Sequence, residues 1–327
     1  MSFPALSDLR AKARVVSLPL VTRFRGIDAR EALLLEGPQG WTEFSPFVEY
    51  DDAEAAAWLT AAIDFGWHPQ PAPVRDAVAV NATVPAVAPA SVPAVLARFD
   101  GCRTAKVKVA ERGQRLADDV ERVEAVREAM GPEGRIRVDA NGGWNLDEAE
   151  HAVHALAEFD LEYVEQPCAS VDELAQLRTR IRYMGIPVAA DESVRKADDP
   201  LAVARAGAAD LIVVKAQPLG GIARALEIVA DAGLPAVVSS ALDTSVGLSM
   251  GAALAASLPD LEYDCGLGTA SLLAADVTAS PLTPRGGGLP VAGVEVDAAL
   301  LERHAASDER REWWTQRLRR CHALLAG

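Results

Sequence analysis

The chain has 327 residues, enough for one large α/β barrel with an appendage or for two domains. Its formal net charge of −15 argues against a nucleic-acid partner, because binding to phosphates requires a basic face. We expect a cytoplasmic protein without a membrane partner, because its start lacks an export signal, no apolar run is long enough to span a bilayer, and its four separated cysteines are typical of free thiols.

The first part of the chain predicts a small α+β unit. Apolar and polar residues alternate there in the manner of antiparallel strands, at residues 14–22, 29–36 and 41–44. A helix with one apolar face is expected at residues 52–63. The proline-punctuated stretch 67–73 predicts a linker, so we assign residues 1–75 to this unit.

From residue 76 onwards, short runs rich in valine, isoleucine and alanine alternate with amphipathic stretches of helical length. The runs occupy residues 77–84, 104–109, 136–140, 163–165, 187–190, 211–215, 236–239 and, more weakly, 262–265. Such alternation is typical of a parallel sheet, so we expect a (β/α)₈-type barrel over residues 76–284. An open doubly wound sheet is disfavoured, because no glycine-rich fingerprint follows the first run and nearly every run ends in a polar residue.

The alternation stops after Pro284, and the simplest geometry returns the tail, residues 285–327, to the N-terminal unit. The tail predicts a loop at 285–290, a strand at 293–296, and helices at 298–305 and 308–325.

Three carboxylates end consecutive strands of the predicted barrel, at Asp139, Glu165 and Asp191. Polar residues at the carboxyl ends of barrel strands line the active-site mouth. A single such residue is often only a helix N-cap, but three at matching positions favour a shared site. Their charges would raise one another's pKa unless a cation lay among them, and hard oxygen ligands suit Mg²⁺ or Mn²⁺.

Two lysines, Lys108 and Lys215, end strands two and six and should therefore face each other across the mouth. Lys106 lies two residues before Lys108 and points to the same face of its strand. A lysine close to a divalent cation and partly desolvated can act as a base. The set predicts proton abstraction next to the carboxylate of a small-molecule substrate, with the cation stabilising the enediolate.

These positions lie in motifs that resemble a known family. The motifs are Lys106-Val107-Lys108, Val138-Asp139-Ala140-Asn141, Glu165-Gln166-Pro167, Asp191-Glu192-Ser193 and the stretch 214–221. In order and spacing they resemble the enolase superfamily, in its muconate-lactonising subgroup. Segments 24–31, 40–47 and 239–245 further resemble the actinobacterial members of that subgroup that form o-succinylbenzoate.

The resemblance implies a fold, a reaction and a cofactor. The fold is α/β, a modified, TIM-like (β/α)₇β barrel with an α+β capping domain built from the N-terminus and the C-terminal tail. A loop near residues 23–27 would close over the barrel. The reaction is the Mg²⁺-dependent dehydration of 2-succinyl-6-hydroxy-2,4-cyclohexadiene-1-carboxylate to o-succinylbenzoate in menaquinone biosynthesis, by a hydro-lyase.

It also implies roles for individual residues. Lys108 would be the base and then the acid, Lys215 would stabilise the enediolate, and Lys106 would support Lys108 electrostatically. Asp139, Glu165 and Asp191 would hold the metal, with Asn141 and Glu192 behind them. The expected substrate contacts are Arg25, Arg137, Ser239, Ser240 and Gly266; Arg137 is equally well interpreted as a deeper ion-pairing residue.

Three other functions stay open at this point. An N-acylamino-acid or N-succinylamino-acid racemase, or a dipeptide epimerase, would use the same metal site and lysines. A Schiff-base aldolase would use Lys215 as its nucleophile, but the three carboxylates disfavour it. A non-catalytic barrel is disfavoured because none of the charged positions is missing.

Overall fold

The structure, a computed structural model, describes residues 4–195 and 199–326. It begins with helix α1 (Leu6–Lys12) and three antiparallel strands in the order β1-β2-β3. These strands are β1 (Ala13–Phe24), β2 (Ile27–Gly37) and β3 (Gly40–Phe44), and helix α2 (Asp52–Trp67) follows them. All three predicted strands and the helix are confirmed, although the helix extends into the first residue of the predicted linker.

This N-terminal sheet packs against helices from both ends of the chain. The last helix, α12 (Asp308–Ala326), lies against α2, and the ring of Trp314 meets that of Phe44 edge-on with centroids 5.8 Å apart. Trp58 of α2 belongs to the same apolar core. The two ends of the chain therefore share one core, which we call the cap.

Seven parallel strands form the second sheet, in the spatial order β11-β10-β9-β8-β7-β6-β5. They are β5 (Ala82–Val84), β6 (Thr104–Lys108), β7 (Arg135–Asp139), β8 (Leu161–Glu165), β9 (Val188–Ala190), β10 (Leu211–Val214) and β11 (Ala236–Val238). Their side chains are buried almost throughout, as expected for strands covered on both faces.

Residues 265 and 266 close this sheet into a ring. Cys265 bridges to Val80 beside the first strand, and Gly266 bridges to Ser239 after the last, both in parallel orientation. The Cys265 amide donates to the Ala79 carbonyl over 2.8 Å. Seven strand–helix units followed by a strand-like segment give the (β/α)₇β arrangement, so the predicted fold class is confirmed.

One or two helices follow each strand of the ring. They are α3 (Val92–Leu96), α4 (Leu116–Met130), α5 (Leu146–Leu156), α6 (Val171–Ile181), α7 (Glu192–Arg195), α8 (Ala202–Arg205), α9 (Ile222–Ala232) and α10 (Ser245–Ser257). Helix α11 (Ala298–Arg303) precedes α12 in the tail. Within the two described ranges, none of the helices combines the length and the apolar character that crossing a bilayer requires.

Three strand predictions were wrong in detail. The run 77–84 divides into β4 (Ala77–Ala79) and β5, because β4 turns away from the ring to pair with β12 (Gly288–Pro290). That strand falls in the predicted loop 285–290, where Gly286 and Gly287 turn the chain with positive φ and Leu289 is buried. The structure has no strand at 293–296, and the run 262–265 contributes only the bridge at Cys265.

Candidate active site

The register of the parallel sheet brings the predicted residues to one end of the ring. Lys108 pairs with Asp139 across β6 and β7, and Asp139 pairs with Glu165 across β7 and β8. Asp191 follows β9 and Lys215 follows β10, each by one residue. All five charged groups therefore lie at the carboxyl ends of neighbouring strands, where active sites of barrels form.

Lys108 is held by two oxygen acceptors of different charge. Its Nζ donates to the carboxylate of Asp139 and, over 2.8 Å, to the side-chain carbonyl of Asn141. Asn141 in turn donates to Glu192 over 3.2 Å. The ring of Phe24, from the cap, lies with its centroid 5.7 Å from the same ammonium. The position of Lys108 is therefore fixed from both the barrel and the cap.

Lys106 lies deeper and is surrounded by carboxylates. Its Nζ lies 3.0 and 3.2 Å from the two oxygens of Glu165 and 3.4 Å from Asp139. Burial alone would lower the pKa of Lys106, but Glu165 and Asp139 outweigh it and raise that pKa above its ordinary value. The two carboxylates therefore favour the charged form of Lys106.

Lys215 is paired with a different carboxylate. Its Nζ lies 2.5 Å from Asp191, whose other oxygen accepts from Nε of Arg195 over 3.0 Å. Burial lowers the pKa of Lys215, with Asp191 acting in the opposite sense. Although burial opposes it, Lys215 and Arg195 lower the pKa of Asp191 to about 2.

The three predicted metal ligands are buried, and their surroundings shift their pKa values in different directions. Although burial opposes it, Lys108 and Lys106 hold the pKa of Asp139 well below its usual range. Burial and the neighbouring Asp139 raise the pKa of Glu165 to about 7, despite its contact with Lys106. Because ionising Glu165 is costly in these surroundings, an additional cation beside it would stabilise its charged form.

The donor set suits a divalent cation by chemistry but not by its present arrangement. Three carboxylates on adjacent strands offer the hard oxygen ligands that Mg²⁺ and Mn²⁺ prefer, so the residues fit such an ion by chemistry. In the part of the chain that the structure describes, however, no three acidic, histidine or cysteine side chains converge on one point, and each carboxylate contacts a lysine instead. Ion binding would therefore require these side chains to turn from the ammonium groups.

A narrow cavity lies between the barrel mouth and the cap. The cap contributes Phe24, Arg25, Phe47, Tyr50 and Trp58 to its lining. The barrel contributes Lys106, Lys108 and Lys215, with Asp139, Asn141, Ser239, Ser240 and Gly266 around them. The lysines thus line one space with four of the predicted substrate contacts: Arg25, Ser239, Ser240 and Gly266.

Arg137 does not reach this cavity. Its guanidinium is buried one layer deeper, where it donates to Glu162 over 2.8 Å and to the hydroxyl of Tyr163 over 2.9 Å. It also donates to the backbone carbonyl of Asp264 over 2.8 Å. These contacts agree with the ion-pairing interpretation, because side chains two apart on a barrel strand occupy successive interior layers.

Arg195 belongs to the site although no sequence argument selected it. Its guanidinium donates to Asp191 and, over 2.7 Å, to Glu192. Its Nη1 lies 3.4 Å from the hydroxyl of Tyr50 in the cap. The spacing of four residues from Asp191 was a usable signal, because such residues meet on one helix face. The contact with Tyr50 had no local signal.

Comparisons with known proteins find relatives along most of the chain. A family described as "Enolase C-terminal domain-like" matches residues 90–297, and one described as "Enolase N-terminal domain-like" matches residues 15–66. The chain is 55% identical over 323 residues to an o-succinylbenzoate synthase of Mycolicibacterium smegmatis, which covers 98% of each chain. It is 54% identical to one of Mycobacterium leprae, covering 98% of this chain and 95% of that one.

Solved structures show the same fold at lower identity. A muconate lactonizing enzyme from Pseudomonas fluorescens, complexed with muconolactone, superposes with a TM-score of 0.76 at 21% identity, covering 90% of this chain and 98% of that one. An N-succinyl Arg/Lys racemase from Bacillus cereus gives a TM-score of 0.73 at 19% identity with the same coverage.

Proposed function

Because this chain belongs to the enolase superfamily, we propose that it catalyses the reaction for which its close relatives are named. It would dehydrate 2-succinyl-6-hydroxy-2,4-cyclohexadiene-1-carboxylate to o-succinylbenzoate and thus act as a hydro-lyase in menaquinone biosynthesis. The observation that carries the proposal is that Lys108 and Lys215 line one cavity beside three buried carboxylates. Proton abstraction next to a carboxylate needs this combination of base and charge stabilisation.

Members of this superfamily use a divalent metal, and we propose Mg²⁺ for this chain, with Mn²⁺ as a possible substitute. Asp139, Glu165 and Asp191 would hold it, supported by Asn141 and Glu192. When bound, the ion would neutralise the substrate carboxylate and so make the adjacent carbon–hydrogen bond more acidic.

The chain's own residues would move the proton. The neutral amine of Lys108 takes the proton from the carbon next to the carboxylate, and the same Nζ then returns it to the departing hydroxyl on that face. One C–H and one C–O bond break, water leaves, and the ring becomes aromatic. Lys106 stays paired with Glu165 and Asp139 and supports Lys108 electrostatically.

Lys215 and the cavity wall would hold the substrate during this transfer. Lys215 approaches the ring from the other side and stabilises the enediolate as an ammonium paired with Asp191. Ser239, Ser240 and the backbone of Gly266 would meet the succinyl carboxylate, and Arg25 would close the cavity from the cap. We assign residues 1–75 and 285–327 to capping, residues 76–284 to the catalytic barrel, and the whole to the cytoplasm.

A racemase is the second candidate, because two lysines on opposite sides of one cavity can exchange protons on both faces of a carbon. Purified protein should be assayed for dehydration and for racemisation of N-succinylamino acids. We expect kcat/KM to be at least 100-fold higher for dehydration, and a higher value for racemisation would overturn the proposal. EDTA should abolish the activity and Mg²⁺ restore it, whereas EDTA-resistant turnover with a borohydride-trapped adduct would indicate an aldolase.

A further inference from the structure

A second buried polar cluster lies outside the catalytic machinery, where the cap meets the barrel. Glu43 of β3, Asp243 after β11 and Gln217 after β10 converge on the first turn of α10. A Cβ added to Gly247 would lie 2.7 Å from Cβ of Asp243, 2.9 Å from Nε2 of Gln217 and 2.9 Å from Cδ of Glu43. Only glycine leaves room for all three side chains, so we call these four residues the clasp.

Glu43 makes four hydrogen bonds although it is fully buried. One oxygen accepts from the amide of Thr244 over 3.1 Å, from its hydroxyl over 2.5 Å, and from the amide of Gly247 over 3.0 Å. The other oxygen accepts from the hydroxyl of Ser45 over 2.5 Å. A cap residue thus binds the start of a barrel helix 13 residues long, whose free amides favour an acceptor at this end.

Arg30 holds the adjacent residues from a second cap strand. Its Nε donates to the backbone carbonyl of Leu242 over 3.2 Å, and its Nη2 donates to the backbone carbonyl of Ser45 and, over 3.1 Å, to the hydroxyl of Ser45. The segment 242–247 is therefore bound to both β2 and β3 of the cap. The positive charge of Arg30 acts on both acids of the clasp, Glu43 and Asp243, and Lys215 also acts on Asp243.

The same segment continues directly into the wall of the catalytic cavity. Ser239, Ser240 and Leu242 line that cavity, and Gln217 lies two residues after Lys215. Movement of the segment 242–247 would displace the serines that face the substrate. Because side chains that bind substrate must be held within a fraction of an ångström, a support of this kind affects function as well as stability.

We propose that Glu43 is a positioning residue that holds the cavity wall of residues 239–242 against the cap and so sets substrate affinity. The inference rests on the proposed function only for its kinetic readout. Nothing in the proposed chemistry uses Glu43 itself, so its effect should fall on KM more than on kcat.

The test compares three variants of the full chain. Glu43→Ala removes every clasp hydrogen bond of the carboxylate, and Glu43→Gln keeps the shape and an oxygen acceptor. Glu31→Ala is the matched control, because Glu31 also joins two cap elements, by bonds to Arg310 and to Trp314 Nε1 over 2.8 Å, but lies away from the clasp. We expect Glu43→Ala to raise KM for dehydration at least tenfold, with kcat staying within threefold of that of the unaltered protein. Glu43→Gln should keep KM within threefold of that of the unaltered protein. Glu31→Ala should leave KM unchanged.

Amide hydrogen exchange gives a readout that does not depend on activity. Glu43→Ala should speed exchange at Thr244 and Gly247, whose amides lose their acceptor, whereas Glu31→Ala should not. Three results would each overturn the inference. They are an unchanged KM in Glu43→Ala, a rise in KM in Glu31→Ala equal to that in Glu43→Ala, and unchanged exchange at the two amides in Glu43→Ala. If Glu43→Ala does not fold, Thr244→Val removes one donor to Glu43 and must raise KM and the local exchange rate in the same way. If the unaltered protein shows no dehydration activity, the proposed function is wrong. Amide hydrogen exchange at Thr244 and Gly247 would then still show whether Glu43 holds this segment.

Discussion

Lys106 and Lys108 differ in their surroundings more than in their position. The ammonium of Lys106 lies against two carboxylates, which stabilise its proton. Lys108 shares Asp139 with it but has the neutral amide of Asn141 as its second partner. Lys108 is also nearer the carboxyl end of β6, where the cavity opens. At the residue scale, these contacts support the proposal that Lys108 is the base and Lys106 its electrostatic support.

We expect Lys108→Ala to lower kcat/KM by about 1,000-fold, because no other described group at this position can take its proposed role as base. Lys106→Ala should cost less, about 10- to 100-fold, because it removes a proposed supporting charge and leaves the proposed base in place. Steady-state kinetics on both variants tests this, with the exposed Lys12→Ala as a control. A larger loss in Lys106→Ala than in Lys108→Ala would reverse the two assignments.

Elements of the cap contact each other through glycines at positions where no side chain fits. A Cβ on Gly37, at the end of β2, would lie 2.0 Å from the carbonyl oxygen of Gly66 in the last turn of α2. That same carbonyl accepts from the amide of Gln39 over 2.9 Å. The β2–β3 hairpin and α2 are therefore in backbone-to-backbone contact, which neither can relieve by changing a rotamer.

Gly37→Ala should destabilise the protein by about 3 kcal/mol, because the clash is with backbone and forces the hairpin from the helix. Urea unfolding, followed by circular dichroism, measures the change. Gly293→Ala is the control and should change stability by no more than about 0.5 kcal/mol, since nothing lies within 4 Å of a Cβ there. Equal urea midpoints of unfolding for the two variants would show that the hairpin moves away from α2 without loss of stability.

Elements and site residues could be predicted where the sequence pattern of a short segment is enough to identify them. Lys108, Asp139 and Glu165 stand out because each ends a buried strand, and the register of a parallel sheet then places them together. Strand β12 was missed because Gly288-Leu289-Pro290 is too short to show a period, and only its partner β4 makes it a strand. The clasp was equally hidden, because Glu43 and Gly247 are 204 residues apart in the chain.

At the scale of the whole molecule, the site is built from parts that no single segment contains. The barrel supplies the lysines and carboxylates, both ends of the chain build the cap, and Arg195 with Tyr50 and the clasp join the two. This arrangement means that binding at the barrel mouth is linked to the stability of the entire fold. We therefore expect the charge state of the carboxylates to decide how strongly a bound cation would stabilise the fold.

Stabilisation by Mg²⁺ should therefore depend on pH. Without the ion, burial and Asp139 raise the pKa of Glu165 to about 7, so the folded protein holds a proton there at pH 6 that the unfolded chain has largely released. That proton stabilises the ion-free fold as pH falls from about 7 towards the ordinary value of 4.5. If Glu165 holds Mg²⁺ as proposed, the ion must displace this proton, and we expect its apparent affinity to weaken about tenfold between pH 8 and pH 6.

In saturating Mg²⁺ the gain in unfolding free energy over EDTA-treated protein should be about 1.4 kcal/mol larger at pH 8 than at pH 6. Thermal unfolding at both pH values, with ionic strength matched by NaCl, measures the difference. Glu165→Gln has no proton to displace, so any remaining effect of Mg²⁺ in that variant should vary much less between the two pH values. An equal gain at pH 6 and pH 8 in the unaltered protein would show that Glu165 does not exchange its proton for the ion.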